Sequence, residues 1–209
     1  MKAYLFDLDG TLLNSLEDIA DSMNFALEKH GLAIHPLEKY RYFVGDGAKV
    51  LAQRATGDQG EIAKEVQKTY QAYYEKHNQC KTRPYDGIVE MLEKMKAKEI
   101  PMAIFSNKPH KDTVKMAEAL FPKEIFQVIR GQIEGTPVKP DPTGALLVAK
   151  ELSLPAKDIF YLGDTGTDMR CAVNAGMFPI GVTWGFRSQK ELEENGAKRI
   201  IHHPLALFA

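Results

Sequence analysis

The sequence predicts a doubly wound parallel α/β sheet carrying an all-helical insert after its first strand. Three observations predict it. From residue 82 onward, short apolar runs alternate with helical periodicity. Between about residues 36 and 77 only helical spacing is found. Polar clusters recur directly after the apolar runs. Alternating strands and helices of this length imply parallel strands joined by crossover helices, with both sheet faces covered.

Taken in order, Lys2 to Leu8 reads as a strand closing at Asp7, followed by the turn Asp9-Gly10-Thr11. Ser15 with Asp18 has the spacing of a capping pair. The spacing Ile19, Met23, Ala26, Leu27 then predicts a helix that stops at His30-Gly31. Val44, Val50, Leu51, Ile62, Val66, Thr69, Tyr70 and Tyr73 continue the helical pattern, interrupted by Gly45-Asp46-Gly47. Beyond Arg83-Pro84-Tyr85-Asp86-Gly87, helices are expected over Ile88–Lys98, Lys111–Leu120, Thr143–Leu152 and Asp168–Ala175. Strands are expected over Pro101–Phe105, Ile125–Ile129, Asp158–Leu162 and Phe178–Val182. His202-His203 reads as a C-terminal tail. The domain expectation is a core made of residues 1–13 and 82–209 and a helical insert over 14–81.

The composition narrows the function. The chain has 209 residues, 44% hydrophobic and 26% charged, enough to bury a core without a disulfide or metal staple. A net charge of -1 with no long basic run argues against nucleic acid or an anionic membrane as partner. Cys80 and Cys171 form no CxxC pair and read as two reduced thiols. The apolar start is broken by Asp7 and Asp9, so neither a signal peptide nor a membrane span is expected, and the location expected is cytoplasmic. A monomer or homodimer fits equally.

In such a sheet, ligands collect at the carboxyl ends of the strands. Asp7 and Asp9 follow the first strand, Ser106-Asn107-Lys108 another, and Gly163 through Asp168 a third, while Lys139 precedes a helix. Several carboxylates, a lysine and a hydroxyl are thereby aimed at one rim. Crowded carboxylates repel, and a divalent cation relieves them. An all-oxygen set without His or Cys suits magnesium over zinc. Magnesium and Lys139 together would neutralise a phosphate, with the Ser106 hydroxyl and the N–H groups of the Gly10-Thr11 turn on its oxygens. One carboxylate can then attack phosphorus, and a second can move the proton of the leaving oxygen.

Phe6-Asp7-Leu8-Asp9-Gly10-Thr11-Leu12 resembles the first motif of the haloacid dehalogenase (HAD) superfamily. Ser106-Asn107, Lys139 and Gly163-Asp164 through Asp168 resemble its second, third and fourth motifs, in order along nearly the whole chain. The resemblance implies a Rossmann-like core and a magnesium-dependent phosphatase. It implies Asp7 as nucleophile, Asp9 as general acid and base, and Ser106, Asn107 and Lys139 on the phosphate. It implies magnesium held by Asp7, the backbone carbonyl of Asp9 and Asp164, with Asp168 either a ligand or an orienting group. Asp168 reads equally as a charge favoured at a helix N-terminus.

The insert is similar to the small helical cap of one branch of the family. Tyr42 through Leu51 resembles the cap loop of phosphoglycolate phosphatases, and Arg83 through Gly87 resembles that branch's second hinge. Phosphoglycolate is therefore the lead among small phosphorylated metabolites. The alternatives are a sugar-phosphate mutase, a pyrophosphatase, carbon–phosphorus cleavage through Lys49, and a non-enzymatic domain binding a phosphorylated ligand. Asp9 sets aside carbon–halogen hydrolysis, whose branch lacks the second carboxylate. The tyrosines Tyr70, Tyr73 and Tyr74 read as packing of the insert, and Trp184-Gly185-Phe186 as core.

Overall fold

The computed structural model describes residues 2–208. The first strand, β1 (Ala3–Phe6), lies in the middle of a six-stranded sheet. The chain then forms a two-residue strand, β2 (Leu13–Asn14), and four helices: α1 (Leu16–Lys29), α2 (Leu37–Phe43), α3 (Ala48–Thr56) and α4 (Glu61–His77). It returns through β3 (Arg83–Pro84), which pairs antiparallel with β2. There follow α5 (Ile88–Ala97), β4 (Met102–Pro109), α6 (His110–Leu120), β5 (Val128–Gln132), α7 (Thr143–Glu151), β6 (Ile159–Gly163), α8 (Gly166–Asn174), β7 (Phe178–Val182), α9 (Gln189–Glu194) and β8 (Arg199–Ile201). The sheet order is β5-β4-β1-β6-β7-β8, parallel at every pairing.

Because side chains alternate across a strand, the sheet builds a core on each face. On one face Phe6, Ile104, Leu162 and Ile180 pack with Met91, Leu92 and Met116 of α5 and α6. On the other, Leu5, Ala103, Phe105 and Tyr161 pack with Ala145 and Val148 of α7 and Cys171 of α8. A third apolar cluster belongs to the inserted helices: Ile19, Met23, Leu27, Tyr40, Leu51, Val66, Tyr70 and Tyr74, with Phe186 reaching in from the sheet side. On α4 the buried stripe is Ala63, Val66, Tyr70 and Tyr74, so the expected Ile62 falls one position off the face and is exposed.

Other local expectations differ from the structure for identifiable reasons. β5 starts at Val128 rather than Ile125, because Ile125 and Phe126 are used in the core beneath the strand before the ladder begins. Arg199–Ile201, for which no strand was expected, adds the edge strand β8 against β7, and His202, read as tail, shares a hydrogen bond with Thr183. Ser15 and Asp18 form no capping pair. Ser15 Oγ donates to Asp9 Oδ1 at 2.6 Å instead. Asp18 accepts from the backbone N–H of Lys81 and Thr82 and from the Thr82 hydroxyl at 2.7 Å. Local pattern favoured the cap, and the two tertiary partners outcompete it.

Asp18 thus ties the return segment to the start of α1, beside the β2–β3 ladder, and is almost fully buried there. Asp18→Ala strands buried N–H groups without acceptors, and the expected loss is roughly 2–4 kcal/mol of stability. Urea unfolding monitored by circular dichroism checks this, with a loss below about 0.5 kcal/mol counting against the clamp.

Candidate active site

The polar groups converge at the carboxyl ends of β1, β4 and β6. Asp7 leaves β1 directly, and its backbone N–H donates to Leu162 O of the neighbouring strand. Lys139 is 2% exposed. Its Nζ donates to Asp168 Oδ1 at 2.7 Å and to Phe105 O at 3.1 Å. The same ammonium stands 2.8 Å from Asp7 Oδ1. Among the described residues this ion pair is the contact of buried Asp7 Oδ1, which has no further hydrogen-bond donor. Asp164 is fully buried, held by Thr11 Oγ1 at 3.0 Å and by the backbone N–H of Phe186 at 2.8 Å.

Two glycines make this convergence feasible. Gly10 has φ +86°, and a Cβ there would lie 2.3 Å from Asp164 Oδ2. A Cβ on Gly185 would lie 2.3 Å from Gly10 O and from Asp164 Cβ. Three backbone segments close on Asp164 only because both positions lack side chains.

Asp7, Asp164 and Asp168 each place a carboxylate oxygen within 4.8 Å of the others. Burial, then the Asp168 charge, pushes Asp7 up to about 7, against the opposing pull of Lys139. Burial raises Asp164 well above the carboxylate range, with Asp168 and Asp7 adding to it. Burial alone would lower Lys139, yet Asp168 and Asp7 outweigh it and hold the ammonium charged. When ionised, the three carboxylates carry more negative charge than one lysine neutralises. Its donors are all oxygens, and one is a buried oxygen without a hydrogen bond. These features fit a small divalent cation such as magnesium.

Asp168 is not a free ligand. Its Oδ2 accepts from the N–H and hydroxyl of Thr165 as the capping box of α8, and its Oδ1 faces Lys139. Both sequence readings are partly met, since it is a helix-start charge and an orienting partner of Lys139. Asp9 lies outside the cluster. Its side chain takes Ser15 Oγ at 2.6 Å and Lys108 Nζ at 2.7 Å. The Asp9 carboxylate is thus turned away from the metal-type cluster, leaving its backbone carbonyl as the group implied by the resemblance.

The phosphate-binding expectations divide. Ser106 and Asn107 line a cavity between sheet and insert that also exposes Asp7 and Asp9. The Asn107 amide donates to Gly45 O and Lys139 O and accepts from the Lys139 N–H, bracing three segments. Ser106 sits inside β4 and caps no helix. The Gly10-Thr11 turn has partners of its own. The Gly10 N–H donates to Leu13 O, and the Thr11 hydroxyl is spent on Asp164. The turn shapes the metal-side wall and offers the phosphate neither of those donors.

Three groups were missed by sequence reasoning. Lys108 is buried, bound to Asp9 and to Tyr74 Oη at 2.8 Å. Tyr74 and Tyr70, read only as packing, line the cavity as well. The segment 184–187 is more than core: Trp184 Nε1 donates to Thr11 O, and Arg41 of α2 donates to Gly185 O at 2.8 Å. A signal for Lys108 existed in its spacing. Ser106 and Lys108, two apart on one strand, share a face. A register shift between Phe105 and Pro109 marks the bulge that aims them.

A sequence profile of haloacid dehalogenase-like hydrolases matches residues 4–182. The chain belongs to that family. It is similar to a phosphoglycolate phosphatase of Psychrobacter arcticus, 30% identical across 91% of this chain and 86% of the relative. A phosphoglycolate phosphatase of Neisseria meningitidis is 30% identical across 95% and 87%. Among solved structures, a predicted phosphoglycolate phosphatase from Haemophilus somnus superposes with a TM-score of 0.91 at 28% identity, covering 100% of this chain and 96% of that one. A predicted phosphatase from Clostridium acetobutylicum superposes with a TM-score of 0.90 at 27% identity, covering 99% and 96%. The fold expected from the sequence is thereby shown. Among the described residues, no helix is long and apolar enough to cross a membrane.

The raised carboxyl groups fix a pH dependence. Asp7 binds its proton more tightly folded, at about 7, than unfolded, at 3.8. Between those values the folded state holds the excess proton, so metal-free stability falls as pH rises through that window. Protons and magnesium compete for the same oxygens, so stabilisation by magnesium grows over the same window. Thermal unfolding in EDTA and in excess magnesium, from pH 4.5 to 8, reads both slopes. Parallel curves would sink the assignment.

Proposed function

We propose that this enzyme is a magnesium-dependent phosphatase that passes the phosphoryl group of a small monoester to Asp7 and then to water, with phosphoglycolate as lead substrate. One observation carries the reading. Two carboxylates, two residues apart, are housed in different environments: Asp7 in the metal-type cluster with Lys139, Asp9 apart from it with Ser15 and Lys108. Separated environments suit separate roles for two chemically identical groups.

The domain reading, a core of 1–13 and 82–209 with a cap over 14–81, belongs to this proposal. It is supported by the separate apolar cluster of the inserted helices and by the β2–β3 ladder where the chain crosses. Asp7, Asp164 and the Asp9 carbonyl would hold the magnesium, which when bound supplies positive charge to the phosphate and keeps Asp7 ionised. Lys139 and the Ser106 hydroxyl receive the remaining phosphate oxygens. Asp7 attacks phosphorus in line. Asp9 gives the leaving oxygen a proton and later takes one from the attacking water. Asn107 and Asp168 keep Lys139 aimed. The helices α1, α3 and α4 wall the cavity and keep bulk water from the Asp7 ester.

Lys49 is exposed and lines no part of the cavity, and Lys108 is held protonated. Neither suits a Schiff base. The relatives named phosphoglycolate phosphatase support phosphoglycolate as the lead.

Release of phosphate from phosphoglycolate with magnesium tests the proposal. Asp7→Asn is expected to lower kcat by roughly a thousandfold or more. Asp9→Asn is expected to lower it by roughly a hundredfold or more while magnesium binding persists. Near-native turnover in Asp7→Asn contradicts the nucleophile assignment.

A further inference from the structure

Lys139 lies among Asp7, Asp168 and Phe105 O at the floor of the site. Lys108 is a second buried ammonium, with its side chain 5% exposed. Among the described residues it is the one cationic residue lining the cavity, whose other wall groups include Ile19, Val44, Leu51 and Tyr70. An ammonium carries three N–H donors. Among the described residues, Asp9 Oδ2 and Tyr74 Oη accept two, at 2.7 and 2.8 Å. Lys108 is costly to bury and serves neither the carboxylate cluster nor any helix end.

Its position relative to Asp9 specifies what it can reach. Asp9 must come within hydrogen-bond distance of the ester oxygen to protonate it. Lys108 lies one hydrogen bond beyond Asp9. An acceptor two or three covalent bonds past that ester oxygen therefore falls beside the ammonium. An anionic acceptor is favoured, because only a negative group offsets desolvation of a lysine already shared with Asp9.

We infer that Lys108 is the specificity-determining residue of this site: its ammonium binds a carboxylate on the leaving group, so the substrate class is short phosphooxy carboxylates. This rests on the phosphatase reading above and deepens it. Tyr74 holds the ammonium in place, and Ser106 and Lys108 both line the cavity, phosphate and carboxylate receptors two residues apart. Asp9, sharing the ammonium with the incoming carboxylate, is left freer to turn toward the ester oxygen.

The test compares phosphoglycolate with ethyl phosphate, which has the same chain length but no carboxylate, both with magnesium. The wild type is expected to show a kcat/KM at least tenfold higher for phosphoglycolate. In Lys108→Met that ratio is expected to fall by roughly tenfold to a hundredfold, chiefly through KM, and Lys108→Arg should restore part of it. A residue that merely neutralises Asp9 lowers both substrates equally. An unchanged ratio in Lys108→Met therefore overturns the inference. Equal use of the two esters by the wild type overturns it too, even if Lys108→Met does not fold. Absence of phosphate release from phosphoglycolate, ethyl phosphate and p-nitrophenyl phosphate defeats the phosphatase reading itself, a distinguishable result.

Discussion

The arrangement turns on an unbalanced charge in a dry place. Asp7, Asp164 and Asp168 are buried together against Lys139. In low dielectric such a group relieves itself by taking up protons or a cation. The protein accepts that strain at the one sheet position where the chain can supply it. β1 lies between β4 and β6, so the ends of all three strands open at one point. The surrounding turns exist to hold it: Thr11 and the Phe186 N–H on Asp164, Thr165 on Asp168, Asn107 on the Lys139 backbone. Each of these groups spends hydrogen bonds on a residue of the cluster and keeps it from wandering.

Much of this was legible in the sequence because it follows from strand ends. A carboxylate or hydroxyl directly after an apolar run must emerge at the rim, which places Asp7, Ser106 and Asp164 from pattern alone. Lys139 was legible through its stiff setting before Pro140, and it is buried as that setting suggests. The order of the strands and the closeness of the carboxylates were not legible, since both depend on which crossovers pair.

What stayed hidden was chemistry decided by tertiary competition. Ser15 and Asp18 have the spacing of a cap, and nothing local reveals that Asp9 and Thr82 outbid it. Thr11 looks like a phosphate ligand until Asp164 is seen to occupy its hydroxyl. Lys108 looks like a solvated lysine because helix α6 begins two residues later, and only the bulge and Tyr74 turn it inward. Arg199-Ile200-Ile201 is too short to announce a strand, and β7 recruits it at the edge.

The paired linkers have a mechanical corollary. The chain crosses between sheet and insert twice, and β2 and β3 bind those crossings side by side, with Asp18 pinning the return segment alongside. Two ribbons fastened together resist twisting far more than a single one. The helical insert is thus tethered to the sheet through two crossings fastened to one another, and the Lys108–Tyr74 hydrogen bond joins the two parts again on the cavity side.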